Sequence, residues 1–296
     1  MDRRVGEGQD WMSRLFDAAV YLLITLVCIV TLYPFLYVAF VSVSDTASVT
    51  ANEVTVWPKG FNLAAYETVF QYKGIWRAYA NTVFYTAAGT AISLLLTTFA
   101  AYPLSRRDWK FRHAGTVIVA VTMWFGGGMI PFYLVVRDLG LLDTQLIVLI
   151  YAALSAFLIF IMRTYFDSLP KELEESARID GASDMLLLFR IVLPLSKPVM
   201  AVIGLYYAVG KWNSYLWEMI LLQKDRYLPL QVLLVRIVKD NSFGTEIERA
   251  ITQGIDIVPT TIQYATIMVA ILPILLVYPF LQKYFVKGVM IGAIKS

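Results

Sequence analysis

The sequence predicts an all-α fold, a polytopic membrane protein of six transmembrane helices, and three observations predict it. Of the 296 residues, 58% are apolar and 16% charged, whereas a soluble domain carries about a quarter charged residues. The apolar residues are also blocked: charge-free runs cover Ala18–Ser44, Ala78–Ser105, Ala114–Val136, Thr144–Met162 and Ile257–Gln282. Each run is about 19 residues or longer, enough for a helix to cross roughly 30 Å of hydrocarbon. Finally, none of the runs shows the polar face at 3.6-residue spacing that a soluble core helix of that length needs.

The first run is far longer than the roughly 7–15 residues of a cleaved signal core, and no small-x-small site follows closely. It therefore reads as a retained span. In the third run, Gly126–Gly128 marks either a close helix crossing or a local break, close packing being the simpler reading. The region Pro198–Leu222 is apolar apart from Lys211, Asn213 and Glu218. A central Lys costs about 2.5–3.5 kcal/mol on insertion, and nine Leu, Ile or Val residues contribute roughly 3–5 kcal/mol in return. The sum is near zero, as expected for a helix that inserts within a bundle and turns its polar side inward. That makes six spans, at about 18–44, 78–105, 114–136, 144–162, 198–222 and 257–282, in one transmembrane domain over residues 1–296.

Six spans put both termini on one side, and the distribution of Lys and Arg decides which. With the termini in the cytoplasm, the inner segments hold 15 Lys and Arg against nine outside, with Lys211 in a span. The short loop Arg106–His113, RRDWKFRH, is the strongest signal, and Lys283, Lys287 and Lys295 mark the tail. The outer segments are then Asp45–Arg77, Arg137–Asp143 and Gln223–Asp256. The first carries WPKGF, whose Trp57 and Phe61 suit an interface. The third carries the apolar stretch Leu228–Val238, read either as contact with something outside or as a loop packed on its own helices.

Several functions are excluded. With one cysteine, Cys28, and one histidine, His113, no His/Cys metal site can be built within the chain. There is no Gly-rich phosphate loop of the GxxxxGK[ST] kind, so an energised transporter would need its nucleotide site on another chain. No nucleophile–base pair appears inside the spans, so the chain does not read as an enzyme. A net charge of +3 gives no reason to expect nucleic acid as a partner.

The cytoplasmic loop Arg163–Lys197 is the most informative stretch. Pro170 suits the first turn of a helix, and Glu172, Glu174 and Glu175 complement its N-terminus. That helix is expected to run to about Asp180, with Gly181 supplying the turn. Ser183 or Asp184 can cap a second helix through Met185–Arg190, and Pro194 is expected to break the chain before the fifth span.

The spacing within this loop resembles the EAA loop of bacterial ABC importer permeases, E-A-A-x3-G-x9-I-x-L-P. Glu175, Ser176, Ala177, Gly181, Ile191, Leu193 and Pro194 occupy every position, with Ser176 in place of the middle Ala. The WPKGF segment, the GGGMIP run and the tail VKGVMIGAIK are similar to carbohydrate-importer permeases of the maltose-transport type, within the branch for complex oligosaccharides, uronate- or rhamnose-containing ones included. The resemblance implies type I ABC importer architecture in the bacterial cytoplasmic (inner) membrane. The short helix would act as a coupling helix in a groove of an ATPase. Glu175 would make a polar contact, Ala177 and Gly181 would allow close approach, and Leu173 and Ile179 would be apolar contacts. Ile191, Leu193 and Pro194 would fix the turn back into the membrane. It also implies a second, homologous permease, two ATPase subunits that hold the ATP and Mg, and an extracytoplasmic solute-binding protein.

On the fifth span Lys211, Ser214, Tyr215 and Glu218 fall at i, i+3, i+4 and i+7, one helix face. Asn213 and Trp217 flank it. Aromatic rings beside hydrogen-bonding groups suit a sugar, and Lys211 could attract a carboxylate. The competing reading is a structural polar pair of Lys211 with Glu218 or with a neighbouring helix. A secondary transporter of a small polar solute is the alternative function; Lys211 and Glu218 would be its coupling groups.

Overall fold

The computed structural model describes the backbone of residues 4–240 and 258–293, and side chains over 11–239 and 258–276. Part of the third outer segment and the basic residues of the tail lie outside the residues whose side chains are described. The described chain is helical throughout and divides into two compact units.

One unit comprises residues 1–72 and 237–271. Helix α1 (Arg4–Ser42) carries Pro34 within it. The short α2 (Thr46–Thr50) starts where the Asp45 carboxylate accepts the Ser48 N–H at 2.6 Å, a side-chain N-cap. The WPKGF segment folds back beside that cap: Asp45 N–H donates to the Lys59 carbonyl (3.0 Å) and Asn62 N–H to that of Val43 (2.8 Å). Gly60, at φ +58°, approaches so closely that a Cβ would stand 1.8 Å from the Asp45 carboxylate, so no other residue fits there. Trp57 lies across Phe40 with centroids 5.9 Å apart and is otherwise exposed. Helix α3 (Ala64–Gln71) is tied to the end of α1 by the 2.8 Å bond between Ser42 and Tyr66.

The other unit comprises residues 73–236 and 272 onward and is organised on α4 (Lys73–Ser105). Along α4 the buried positions Ala78, Thr82, Tyr85, Gly89, Ser93, Thr97, Ala101 and Leu104 recur at steps of three and four, the stripe that a helix presents to its neighbours. One apolar cluster joins Ala101, Tyr102 and Leu104 to Leu158, Met162, Phe166, Leu188, Val192 and Ile203. A second joins Tyr85 to Val136, Ile147, Val148, Leu221 and Val232.

The remaining apolar runs are not single helices. Residues 114–136 form α5 (Arg112–Trp124) and α6 (Met129–Asp138), bent by 114°. The break is at the glycines: a Cβ on Gly126 or Gly127 would meet nothing within 4 Å, and Gly128 sits at φ +82°. This corrects the close-packing reading, because three residues without side chains weaken the helix and one takes the left-handed region. The run 144–162 divides into α7 (Gln145–Ile150) and α8 (Ala156–Asp167), whose Thr144 and Ser155 hydroxyls accept from Ile147 and Leu158 N–H groups.

Beyond α8 come α9 (Lys171–Ile179) and α10 (Asp184–Leu187). A π turn over Leu188–Val192 and α11 (Leu193–Leu195) follow, then α12 (Lys197–Asn213) and α13 (Leu216–Leu221). The stretch Leu228–Val238 lies largely in α14 (Leu230–Asp240). Its start packs on the chain's own helices: Asn81 donates to the carbonyls of Arg226 and Leu228, Tyr85 to that of Tyr227, and Leu230 N–H donates to Thr82. Nearby, Asp143 takes φ +58° and accepts the N–H groups of Gln223 (3.1 Å) and Lys224 (2.9 Å). Partial desolvation pushes its carboxyl up, but the bonds from Lys224 and Gln223 and the Lys224 ammonium outweigh that, holding it below its usual range. The last helix is α15 (Pro259–Ala293).

Among the described residues, three helices are long and apolar enough to cross a membrane, Trp11–Ser42, Lys73–Ser105 and Pro259–Leu276. Counting each bent pair as one span raises the number to five.

Candidate functional site

Helix α9 follows Pro170, which needs no N–H at a helix start, and carries Glu172 and Glu174 in its first turn. It ends in a Schellman motif. Asp180 is the C-cap, Gly181 N–H donates to the Arg178 carbonyl and Ala182 N–H to that of Ala177, both at 3.0 Å. Gly181 sits at φ +81°, with nothing within 4 Å of where a Cβ would project. Its first requirement is therefore conformational, and the space around it is open. Ser183 caps α10 by accepting the Leu186 N–H, as one of the two candidates expected.

Pro194 does not break the chain. It lies within α11, after the widened π turn, which displaces the carbonyl that its ring would strike. The break comes at Ser196, where the chain bends by 83° into α12. Pro198, in the first turn of α12, cannot donate to the carbonyl four residues back, which accounts for the bend.

The two faces of α9 differ. Glu175 and Ile179, one turn apart, are exposed, Ile179 to 87% and Leu173 to 44%, although Glu175 also borders the pocket that Arg106, Glu174 and Arg178 line. Ser176 is exposed and Ala177 half-buried. The inward face carries Glu174 and Arg178. Glu174 pairs with Arg106 from the end of α4, and Arg178 pairs with Asp184 (2.9 Å) and Asp108 (3.6 Å). Arg106 also lies over the Tyr102 ring, 4.5 Å from its centroid, and the Tyr102 hydroxyl donates to the Asp184 carbonyl at 3.2 Å. Beyond α9 the segment is anchored: Leu187, Leu188 and Val192 are fully buried, Leu193 packs against the same cluster and Ile191 is half-buried. Met185 (60% exposed) extends the outward apolar set. The sequence reading missed the partners Arg106, Tyr102 and Arg178. RRDWKFRH carried a signal for Arg106, but only for charge, since its pairing with Glu174 across 68 residues leaves no local trace.

The second candidate group is reorganised by the structure. Helix α12 ends at Asn213 and α13 starts at Leu216, so Lys211, Ser214, Tyr215 and Glu218 do not share one continuous helix face. The Lys211 ammonium donates to the carbonyls of Val148 (3.1 Å), Leu149 (3.4 Å) and Tyr151 (3.0 Å), the exposed C-terminus of α7. A cation there satisfies orphan carbonyls and complements the helix dipole. Glu218, 2% exposed, accepts from the Tyr151 hydroxyl (2.6 Å) and from Ser214 (2.8 Å), and Tyr151 and Ser214 also bond to each other. Trp217 packs edge-on against Phe132 with centroids 4.8 Å apart. Lys211, Trp217 and Glu218 thus hold two helix breaks together, while Asn213 and Tyr215 remain exposed. Among the described residues no group of three His, Cys, Asp or Glu side chains could hold a metal.

The chain as a whole is similar to known transport proteins. Residues 9–291 match the family described as binding-protein-dependent transport system inner membrane component. The chain is 40% identical over 284 residues to the polygalacturonan/rhamnogalacturonan transport system permease protein YtcP of Bacillus subtilis (strain 168), covering 96% of this chain and 99% of that one. Protein LplC of the same strain is 41% identical over 290 residues, covering 96% of each. A chain in the crystal structure of a bacterial ABC transporter involved in the import of the acidic polysaccharide alginate superposes with a TM-score of 0.89 at 39% identity, over 93% of this chain and 98% of that one. This chain belongs to the binding-protein-dependent transport system inner membrane component family and is a permease of an ABC sugar importer.

Proposed function

We propose that this chain is one of two homologous permease subunits of a type I ABC importer for uronate-containing oligosaccharides. One ATPase subunit docks on α9 and a second on the homologous permease, the two together holding the ATP and Mg, and an extracytoplasmic solute-binding protein delivers the sugar. The six spans are α1, α4, the bent pair α5–α6, the interrupted pairs α7–α8 and α12–α13, and α15, with both termini in the cytoplasm.

The observation that carries this reading is the division of labour along Glu175–Pro194. Its outward face offers Glu175, Leu173 and Ile179 to a partner, while Leu187, Leu188, Val192 and Leu193 root it in the bundle. Small residues at Ser176 and Ala177 and the open turn at Gly181 leave room for a partner surface to approach. Ile191, Leu193 and Pro194 lie on the rooted return toward α12. An element so built meets a partner on one side and the bundle on the other, so movement of the partner can be carried toward the membrane, and alternating access follows from two such subunits moving together.

The cargo is read from chemistry shared by relatives. The names of the relatives point to polygalacturonan, rhamnogalacturonan and alginate, and the first and last are polymers of uronic acids. A crystal structure of similar fold, 16% identical, is that of an alginate transporter in complex with a periplasmic protein bound to alginate pentasaccharide. Asn213 and Tyr215, exposed at the α12–α13 break, are the remaining candidates for contact with the sugar; Lys211, Trp217 and Glu218 act beneath them.

The expected outcome is that the chain co-purifies with an ATPase and a second permease, and that cells carrying the complete system take up oligogalacturonides in preference to neutral oligosaccharides of equal length. Glu175→Lys should abolish uptake at unchanged membrane insertion. Purification of the chain alone, or wild-type uptake by that variant, would overturn the ATPase-driven reading in favour of a secondary transporter.

A further inference from the structure

The inward face of α9, turned away from the residues assigned to an ATPase, carries the best-shielded ion pair of the segment. Among the described ion pairs, Arg106–Glu174 leaves its two side chains 12% and 14% exposed, whereas Arg178 is 42% exposed and its partners Asp108 and Asp184 68% and 66%. Exposed pairs of the second kind contribute little, because water and salt screen them. A shielded pair differs: removing one partner strands a charge away from water. Arg106 is itself held in place, donating to Ser105 at 3.0 Å and lying over the Tyr102 ring at 4.5 Å. The pair therefore joins the middle of α9 to the last residues of α4, the helix against which α8 and α12 pack.

The return path through the π turn does not provide the same link. It enters the bundle through Leu188 and Val192, seven residues and more beyond the turn at Gly181. A force on Glu175 and Ile179 must cross that bend, unless it passes directly through α9 into α4.

We propose that Arg106 and Glu174 are positioning residues for transport: a strut through which movement of α9 is delivered to α4. The inference rests on the reading of α9 as the ATPase dock. Without the strut, the ATPase still binds the outward face of α9 and still turns over, but α9 swings on the Gly181 bend and α4 is not carried with it. The signature is uncoupling, not loss of assembly.

The test uses the complete transporter reconstituted in proteoliposomes, measuring sugar import and ATP hydrolysis in one preparation and the ATPase retained on purification. Arg106→Glu and Glu174→Gln should each retain the ATPase, while sugar imported per ATP hydrolysed falls about tenfold, within the range that loss of a coupling contact produces. Arg106→Lys, which keeps the charge, should recover most of the ratio, as should the exchange R106E/E174R relative to R106E alone. An unchanged import-to-hydrolysis ratio in both single variants would overturn the strut, and so would equal loss of import and hydrolysis with no recovery in Arg106→Lys or the exchange. Failure of the docking reading looks different: the wild-type chain would retain no ATPase.

Discussion

At the residue scale, the polar groups inside the bundle are engaged by backbone they could not have been assigned to from sequence. Lys211 is the clearest case. Its sequence position suits either a sugar carboxylate or a structural partner, and its ammonium meets the three carbonyls of Val148, Leu149 and Tyr151, a helix end and not Glu218. Lys211→Ala leaves those carbonyls unpaired, and a buried acceptor so stranded costs about 1–3 kcal/mol. The expected result is a lower thermal midpoint of the purified protein, with uptake of neutral and acidic oligosaccharides falling in parallel. Selective loss of acidic uptake at unchanged stability would restore a substrate role. Glu218 illustrates the same point: a carboxylate 2% exposed was visible in the sequence only as a polar interruption, but its partners Tyr151 and Ser214 come from two different helix breaks.

At the element scale, the coupling segment was the most legible part of the chain because its signals are local. Proline at a helix start, acidic residues in the first turn, glycine after the last and serine before the next each act within a few residues, and α9 and α10 start where those signals place them, although α10 stops at Leu187, short of the expected Arg190, and passes into the π turn. The misassigned residue, Pro194, fails for a reason equally physical. The π turn ahead of it supplies room, and the break moves to Ser196 ahead of Pro198. Gly181 holds the Schellman turn at φ +81°, a region that costs an L-residue about 1–2 kcal/mol. Gly181→Ala should therefore raise amide exchange over residues 171–179 roughly fivefold, the equivalent of about 1 kcal/mol, and weaken retention of the ATPase. Exchange indistinguishable from wild type would show that the turn does not depend on glycine. The glycines at 126–128 teach the complementary lesson: close packing and helix breaking share one composition, and only the open space around Gly126 and Gly127 distinguishes them.

At the scale of the whole molecule, orientation is the property on which the dock depends, since α9 can meet an ATPase only from the cytoplasm. It can be checked with single cysteines in a Cys28→Ser background, using a membrane-impermeant thiol reagent. A cysteine at Lys110 should label only after permeabilisation, and one at Lys59 in intact cells or protoplasts. The reverse pattern would invert the topology and remove the dock from the ATPase side. The sequence by itself determined that the chain is helical, that it belongs in a membrane, and that Glu175–Pro194 is a capped, turned segment, because hydrophobic blocks, charge bias and capping are properties of neighbouring residues. Only the tertiary structure decided that three of the apolar runs are interrupted, that Lys211 and Glu218 hold those interruptions together, and that α9 is fastened through Glu174 to Arg106. The last two depend on groups 60 or more residues apart, and the low-dielectric bundle that makes such pairings necessary exists only once the helices have packed.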